Sequence, residues 1–165
     1  MNKAFYFLFF LLLLSIPAMA DHPRVEVFGG YSYLNLDTGN DRLGIEKGFG
    51  VDVSGDLTDT FAIVGSFSGN YEEGSHLYYY LFGPRFTRRG ESFTAFGQAL
   101  IGGSTAGDDG GSESGLAFGF GGGVDINAGE SLAVRVFQFD YAPNRFFDVW
   151  FHTVRIQAGV VFKVK

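Results

Sequence analysis

The last strand-length stretch of the chain alternates without a break. Ile156, Ala158, Val160, Phe162 and Val164 fall on one parity, and Arg155, Gln157, Gly159, Val161 and Lys163 on the other. Successive side chains of a β-strand point to opposite faces, so this stretch is a strand with one continuous apolar face and one mixed face. A fold that accepts it must cover the apolar face and must also close the strand's two hydrogen-bonding edges.

The rest of the chain repeats the pattern. Strand-like segments fall near 24–36, 47–56, 61–71, 75–87, 92–103, 115–127, 131–141 and 150–164, each roughly 10 to 13 residues or a little longer. Phe49, Val51 and Val53 oppose Gly48, Gly50, Asp52 and Ser54, and Leu116, Phe118, Phe120, Val124 and Ile126 oppose Ala117, Gly119, Gly121, Gly123 and Asp125. In the first segment, Val25, Val27, Tyr31 and Tyr33 oppose Glu26, Gly30 and Ser32. The seventh breaks phase: Arg135 has one parity, Gln138 and Asp140 the other. Either a bulge intervenes there or the last two residues stand above a membrane. The connections alternate as well. Asp37 to Glu46, Glu72 to Gly74, Ser104 to Ser114 and Ala142 to Val149 are polar and Gly-rich, and all but the second are long. The turns at 56–59, 88–91 and 128–130 are tight. Long-short alternation of this kind belongs to transmembrane barrels with both termini on the periplasmic side.

The amino-terminal residues have the parts of a secretory signal: Lys3, an apolar run over 4–16, and the small-residue tripeptide Ala18-Met19-Ala20. That run is about 13 residues, short of the roughly 20 of a spanning helix. Residues 1–20 are therefore expected to be a cleaved signal peptide, with 21–165 as the mature domain. The chain carries a net charge of -6, and loss of Lys3 takes it one unit further negative, which gives no electrostatic reason to bind nucleic acid. The absence of cysteine excludes a disulfide framework.

A barrel with apolar parity inside would be a soluble carrier; one with apolar parity outside sits in lipid. A water-facing exterior favours long Lys and Glu, whereas the narrow interior of an eight-stranded barrel calls for small residues and a few interlocking polar ones. The polar parity here holds Gly48, Gly50, Ser54, Ala117, Gly119, Gly121, Gly123 and Gly159. Tyr33, Tyr71, Phe93, Tyr141, Trp150 and Phe162 near strand ends suit interfacial girdles. The expected architecture is an all-β, eight-stranded antiparallel up-and-down transmembrane β-barrel. Its lumen would hold Glu26, Asp52, Arg85, Asp125, Arg135, Arg155 and Lys163, which should pair because isolated charges in a low-dielectric interior are costly.

The segments 25–34, 80–86 and 133–141 resemble the outer-membrane β-barrel domain family, the porin-like group that includes the OmpA transmembrane domain and OmpX-type proteins. The resemblance covers essentially the whole mature chain and implies the Gram-negative outer membrane as its location. Gln157, Gly159, Phe162 and Val164 match the carboxy-terminal strand by which such proteins are recognised for assembly, although three residues follow Phe162. Implied partners are outer-membrane lipid, periplasmic chaperones, the barrel-assembly machinery and a surface ligand of unspecified chemistry. Catalytic constellations are poor. His22, His76 and His152 have no triad spacing around them, and Gly119-Phe120-Gly121-Gly122-Gly123 lies in a strand with no helix behind it. Asp108, Asp109 and Glu113 lack the spacing of a calcium loop. No enzyme, cofactor or metal is expected. The reading is a non-enzymatic barrel with a plugged polar lumen and a structural or surface-interaction role; the alternative is a narrow channel for small or apolar solutes.

Overall fold

The structure is a computed structural model, and it describes residues 25–37, 42–72, 74–108, 110–146 and 148–164. The expected signal peptide at 1–20 lies outside the described residues. The elements in chain order are β1 (Val25–Asp37), β2 (Arg42–Ile45), β3 (Lys47–Asp56), β4 (Phe61–Glu72) and β5 (Ser75–Arg89). They continue with β6 (Phe93–Asp108), β7 (Gly111–Asn127), β8 (Leu132–Tyr141), β9 (Asn144–Phe146) and β10 (Val149–Val164).

The strands pair antiparallel in the order β2-β1-β3-β4-β5-β6-β7-β8-β10-β9, and β1 returns to pair with β10, from Val25↔Val164 to Asp37↔His152. The sheet is therefore closed. β9 keeps the registers of β8 against β7 and β10, so it prolongs that stave past Ala142 and Pro143. β2 prolongs β3 with a one-residue shift at Glu46. Among the described residues, ten strands less these two prolongations leave eight staves. Closure answers the edge problem, since every stave finds a partner on both sides and no row of amides is left unpaired at an open edge.

The long connections expected on one rim are largely strand. The presumed loop from Ser104 to Ser114 is the end of β6 and the start of β7, paired out to Asp108↔Gly111. Polar Gly, Ser and Thr residues carry no apolar face there, but a ladder is made of backbone hydrogen bonds and needs none. Thr105 and Ser114 add a cross-strand hydroxyl pair at 2.8 Å. The stretches 37–46 and 142–149 likewise contain β2 and β9. The opposite rim keeps its three tight turns, at 57–60, 90–92 and 128–131.

The phase break in the seventh segment is a bulge. Against β7, Val124 pairs with Phe137 and Asp125 with Arg135, so Val136 is the extra residue. Val136 and Phe137 both face outward, 49% and 50% exposed. The bulge resets the parity, and Arg135, Gln138 and Asp140 all turn inward.

Outside, the barrel is apolar. Phe82 and Phe86 are each 62% exposed, and Val53, Phe120, Val134, Phe139 and Val164 stand out beside them. A continuous belt of this size is not sustained in water. Among the described residues, charged side chains on the outer wall lie only at the rims: Arg88 at the turn end, and Lys47 and Arg145 at the loop end. Tyr33, Tyr71, Tyr141 and Trp150 ring the loop end, while Phe93 and Phe162 stand at the turn end.

Candidate functional site: the packed lumen

β5 shows how the lumen is layered. Its inward residues run Leu77, Tyr79, Leu81, Gly83, Arg85, Thr87 and Arg89 from the loop end to the turn end. Apolar side chains come first, then a buried cation, then a second cation at the mouth. The other staves supply matching partners at each level.

At the loop end, Leu34, Val64, Leu77, Tyr79, Leu81, Leu100, Ala117 and Ala142 form one buried cluster, with Ile45, Ala106 and Phe146 against it. The sequence reading expected small and polar side chains to fill the interior; this layer corrects it. Above the level of the charges the interior holds a hydrophobic cluster, in which branched side chains interdigitate better than small ones, with buried Asn70, Ser104, Asn144 and Thr153 beside it. The Tyr79 hydroxyl is not left bare, because Asn144 Nδ2 donates to it at 2.7 Å.

The middle layer is a closed ring of charge-assisted hydrogen bonds. Arg85 Nη2 and Arg135 Nη1 both donate to Asp52 Oδ2, at 2.8 and 3.0 Å. Arg85 also donates to Gln98 Oε1, whose amide passes on to Asp140 Oδ1 at 2.9 Å. Gln138 Nε2 reaches Asp140 Oδ2 at 2.6 Å, and Arg135 Nη1 closes the ring on Gln138 Oε1 at 2.7 Å. Two branches leave it. Arg135 holds Asp125 with a two-pronged grip at 2.8 and 3.1 Å, and Arg155 joins Asp140 at 2.9 Å and Ser68 at 3.0 Å. The ring spans β3, β5, β6 and β8, so it ties together staves that do not all touch through their backbones. Phe96 lies between the two guanidiniums, 4.4 Å from each, and Phe28 covers the other side of Arg135 at 4.3 Å. The aromatic faces stabilise cations that water cannot reach.

At the turn end, Arg89 clamps Glu26 at 3.2 Å and Asp56 at 2.7 Å. Lys163 donates to Asn127 Oδ1 at 2.6 Å. Val161, Phe28 and Ala133 make a small apolar layer nearby.

Asp52, Arg85, Asp125 and Arg135 thus form one cluster, and Arg155 reaches it through Asp140. Glu26 belongs to a separate cluster at the mouth, and Lys163 meets an amide instead of an acid. Sequence reasoning left Asp140 and Gln138 open and missed Arg89, Asp56 and Gln98 as members. Phe28 and Phe96, which belong in the lumen, were not separated from the rings of the outer wall. Parity alone carried the signal for Phe96, which shares the inward parity of Thr94 and Gln98.

Of the residues at the carboxy-terminal strand, Phe162 and Val164 face outward, 56% and 55% exposed. Gln157 points into the lumen, where Gly50 leaves the space that its amide occupies. Gly159 sits on the closing seam opposite Gly30. Among the described residues no group of His, Asp and Glu is placed to hold a metal ion.

Comparison with solved structures now decides the fold. Ail, the attachment invasion locus protein of Yersinia pestis, matches with a TM-score of 0.55 at 19% identity, over 87% of this chain and 99% of Ail. The fold is that of an outer-membrane β-barrel. Neisserial surface protein A matches with a TM-score of 0.58 at 12% identity, over 84% of this chain and 96% of that one. OprG from Pseudomonas aeruginosa gives 0.56 at 11% identity, over 86% and 96%. No family model and no curated protein sequence matches the chain.

Proposed function

We propose that this chain is a non-enzymatic barrel of the outer membrane whose lumen is plugged and whose role is structural or surface-directed. The packed lumen carries this reading: an apolar layer, a ring of paired charges and a clamped mouth follow one another along the barrel axis. The narrow-channel alternative would require solute to displace both the loop-end core and the ring. Planar-bilayer recording is the test. Purified protein should conduct ions poorly, and large, stable, porin-like steps would overturn the plug.

The prolonged β6–β7 hairpin and β9 make the loop end the natural contact surface. Ail has been solved with the heparin analogue sucrose octasulfate. The described rim of this chain is acidic, with Glu46, Glu72, Asp108, Glu113 and Asp148 against Lys47 and Arg145. A polyanion is therefore a poor electrostatic match here.

The same reading treats residues 1–20 as a signal peptide and places the loop end outside the cell. Protein taken from the envelope should begin at Asp21, and an epitope at Gly110, but not one at Gly90, should be labelled on intact cells. Retained Met1 or reversed labelling would contradict this.

A further inference from the structure

Arg88 and Arg89 are neighbours in sequence and opposites in the wall. Arg89 turns in and is held by two carboxylates. Arg88 turns out at the lower edge of the apolar belt, where it makes no ion pair or side-chain hydrogen bond among the described residues. A solvent-facing Arg without a partner is ordinary; one beside an apolar trough in a lipid-facing wall has a definite complement.

Such a trough adjoins it. Where the start of β6 lies against the end of β5, the outward positions of β6 are Ala95 and Gly97, opposite Arg88 and Phe86. These small residues leave the wall thin beside the ring of Phe86. A groove of about 300 Å³ opens there, with Thr60 and Arg88 at its rim. A Cβ placed on Gly97 would meet nothing nearer than Gly121 O at 3.8 Å, so the space is real and faces outward.

We infer that this groove binds an anionic glycerophospholipid of the leaflet at the turn end, its phosphate, not neutralised by a headgroup cation, on Arg88 and an acyl chain lying over Ala95 and Gly97. The inference rests on the membrane reading given above. An apolar trough continuous with the lipid belt selects a hydrocarbon chain, and the unpaired guanidinium at its rim selects a phosphate. Arg supplies forked donors for such an oxyanion.

The test uses the protein in nanodiscs of equal phosphatidylglycerol and phosphatidylcholine, followed by native mass spectrometry of the released barrel. Wild-type protein should retain phosphatidylglycerol preferentially. Arg88→Gln should reduce the phosphatidylglycerol-to-phosphatidylcholine ratio about fivefold, the effect of one interfacial cation, and Arg88→Lys should largely keep it. Gly97→Leu should remove retained lipid of both kinds. Heat-modifiable migration of each variant reports separately that the barrel is folded and inserted. Folded variants retaining lipid in the wild-type amount and ratio would overturn the site. A wild-type chain that fails to insert would instead overturn the membrane reading beneath it.

Discussion

Replacing Arg135 with alanine should lower the unfolding free energy of the barrel by roughly 3–5 kcal/mol, the usual cost of stripping one partner from a buried pair. Arg135 is 1% exposed and serves Asp52, Asp125 and Gln138 at once. Its loss leaves Asp125 without the guanidinium that grips both its oxygens, while Asp52 keeps Arg85. The cavity between Phe28 and Phe96 adds a packing loss. Removing the stranded acid as well, in Arg135→Ala with Asp125→Ala, should recover much of the stability, because an absent pair costs less than a half pair. Urea unfolding of protein reconstituted in phospholipid vesicles measures both. A single-variant loss within the roughly 0–1 kcal/mol typical of solvated pairs would mean that water reaches the ring.

The fold was legible because a barrel wall writes itself into sequence one residue at a time. β3 and β7 obey the two-residue period throughout the belt, and their burial follows it. The period stops being informative where the chain leaves the belt. Residues 104–114 read as a loop because their composition is Gly, Ser and Asp, yet the ladder continues through them. Composition reports what a face must touch, and a rim strand in water need touch nothing apolar. The opposite parities of Arg135 and of Gln138 with Asp140 marked the phase change, but sequence alone could not separate a bulge from an exit from the membrane. The lumen was harder still. Parity tells which side chains enter, whereas partners depend on which staves face each other across the barrel. Asp52 and Arg135 meet across 83 positions of sequence, and no local spacing encodes that. Arg88 and Arg89 illustrate the limit: one rotation of register exchanges a clamped mouth residue for a lipid-facing one.

The closing seam should be the least forgiving part of the wall, and Gly159→Val the substitution that reveals it. Gly159 pairs with Gly30 across β10 and β1. A Cβ at Gly159 would collide with the Gly29 carbonyl oxygen and lie 2.5 Å from Gly30 Cα. A Cβ at Gly30 would in turn meet the Ala158 carbonyl and lie 2.8 Å from Gly159 Cα. These obstacles are backbone, so no rotamer relieves them, and the strands must part. The cost should reach or exceed the ~1–3 kcal/mol usual for an inserted side chain, and it falls on the one pairing that makes the sheet a barrel. Phe162→Asp acts differently. Phe162 faces lipid near the turn rim, opposite Val27 on one side and Leu132 on the other. A charge there should cost less than the ~2–4 kcal/mol of a basic residue at the bilayer midplane. If Phe162 also belongs to an assembly signal, Phe162→Asp should lose folded protein in cells yet refold into vesicles nearly as the parent does. Gly159→Val should fail in both settings, whatever machinery is present. Lys163→Ala, which alters neither the lipid face nor the seam, should assemble almost normally. Equal loss of Phe162→Asp in cells and in vesicles would reduce its role to anchoring, and vesicle refolding of Gly159→Val at parental yield would show that the seam can widen after all.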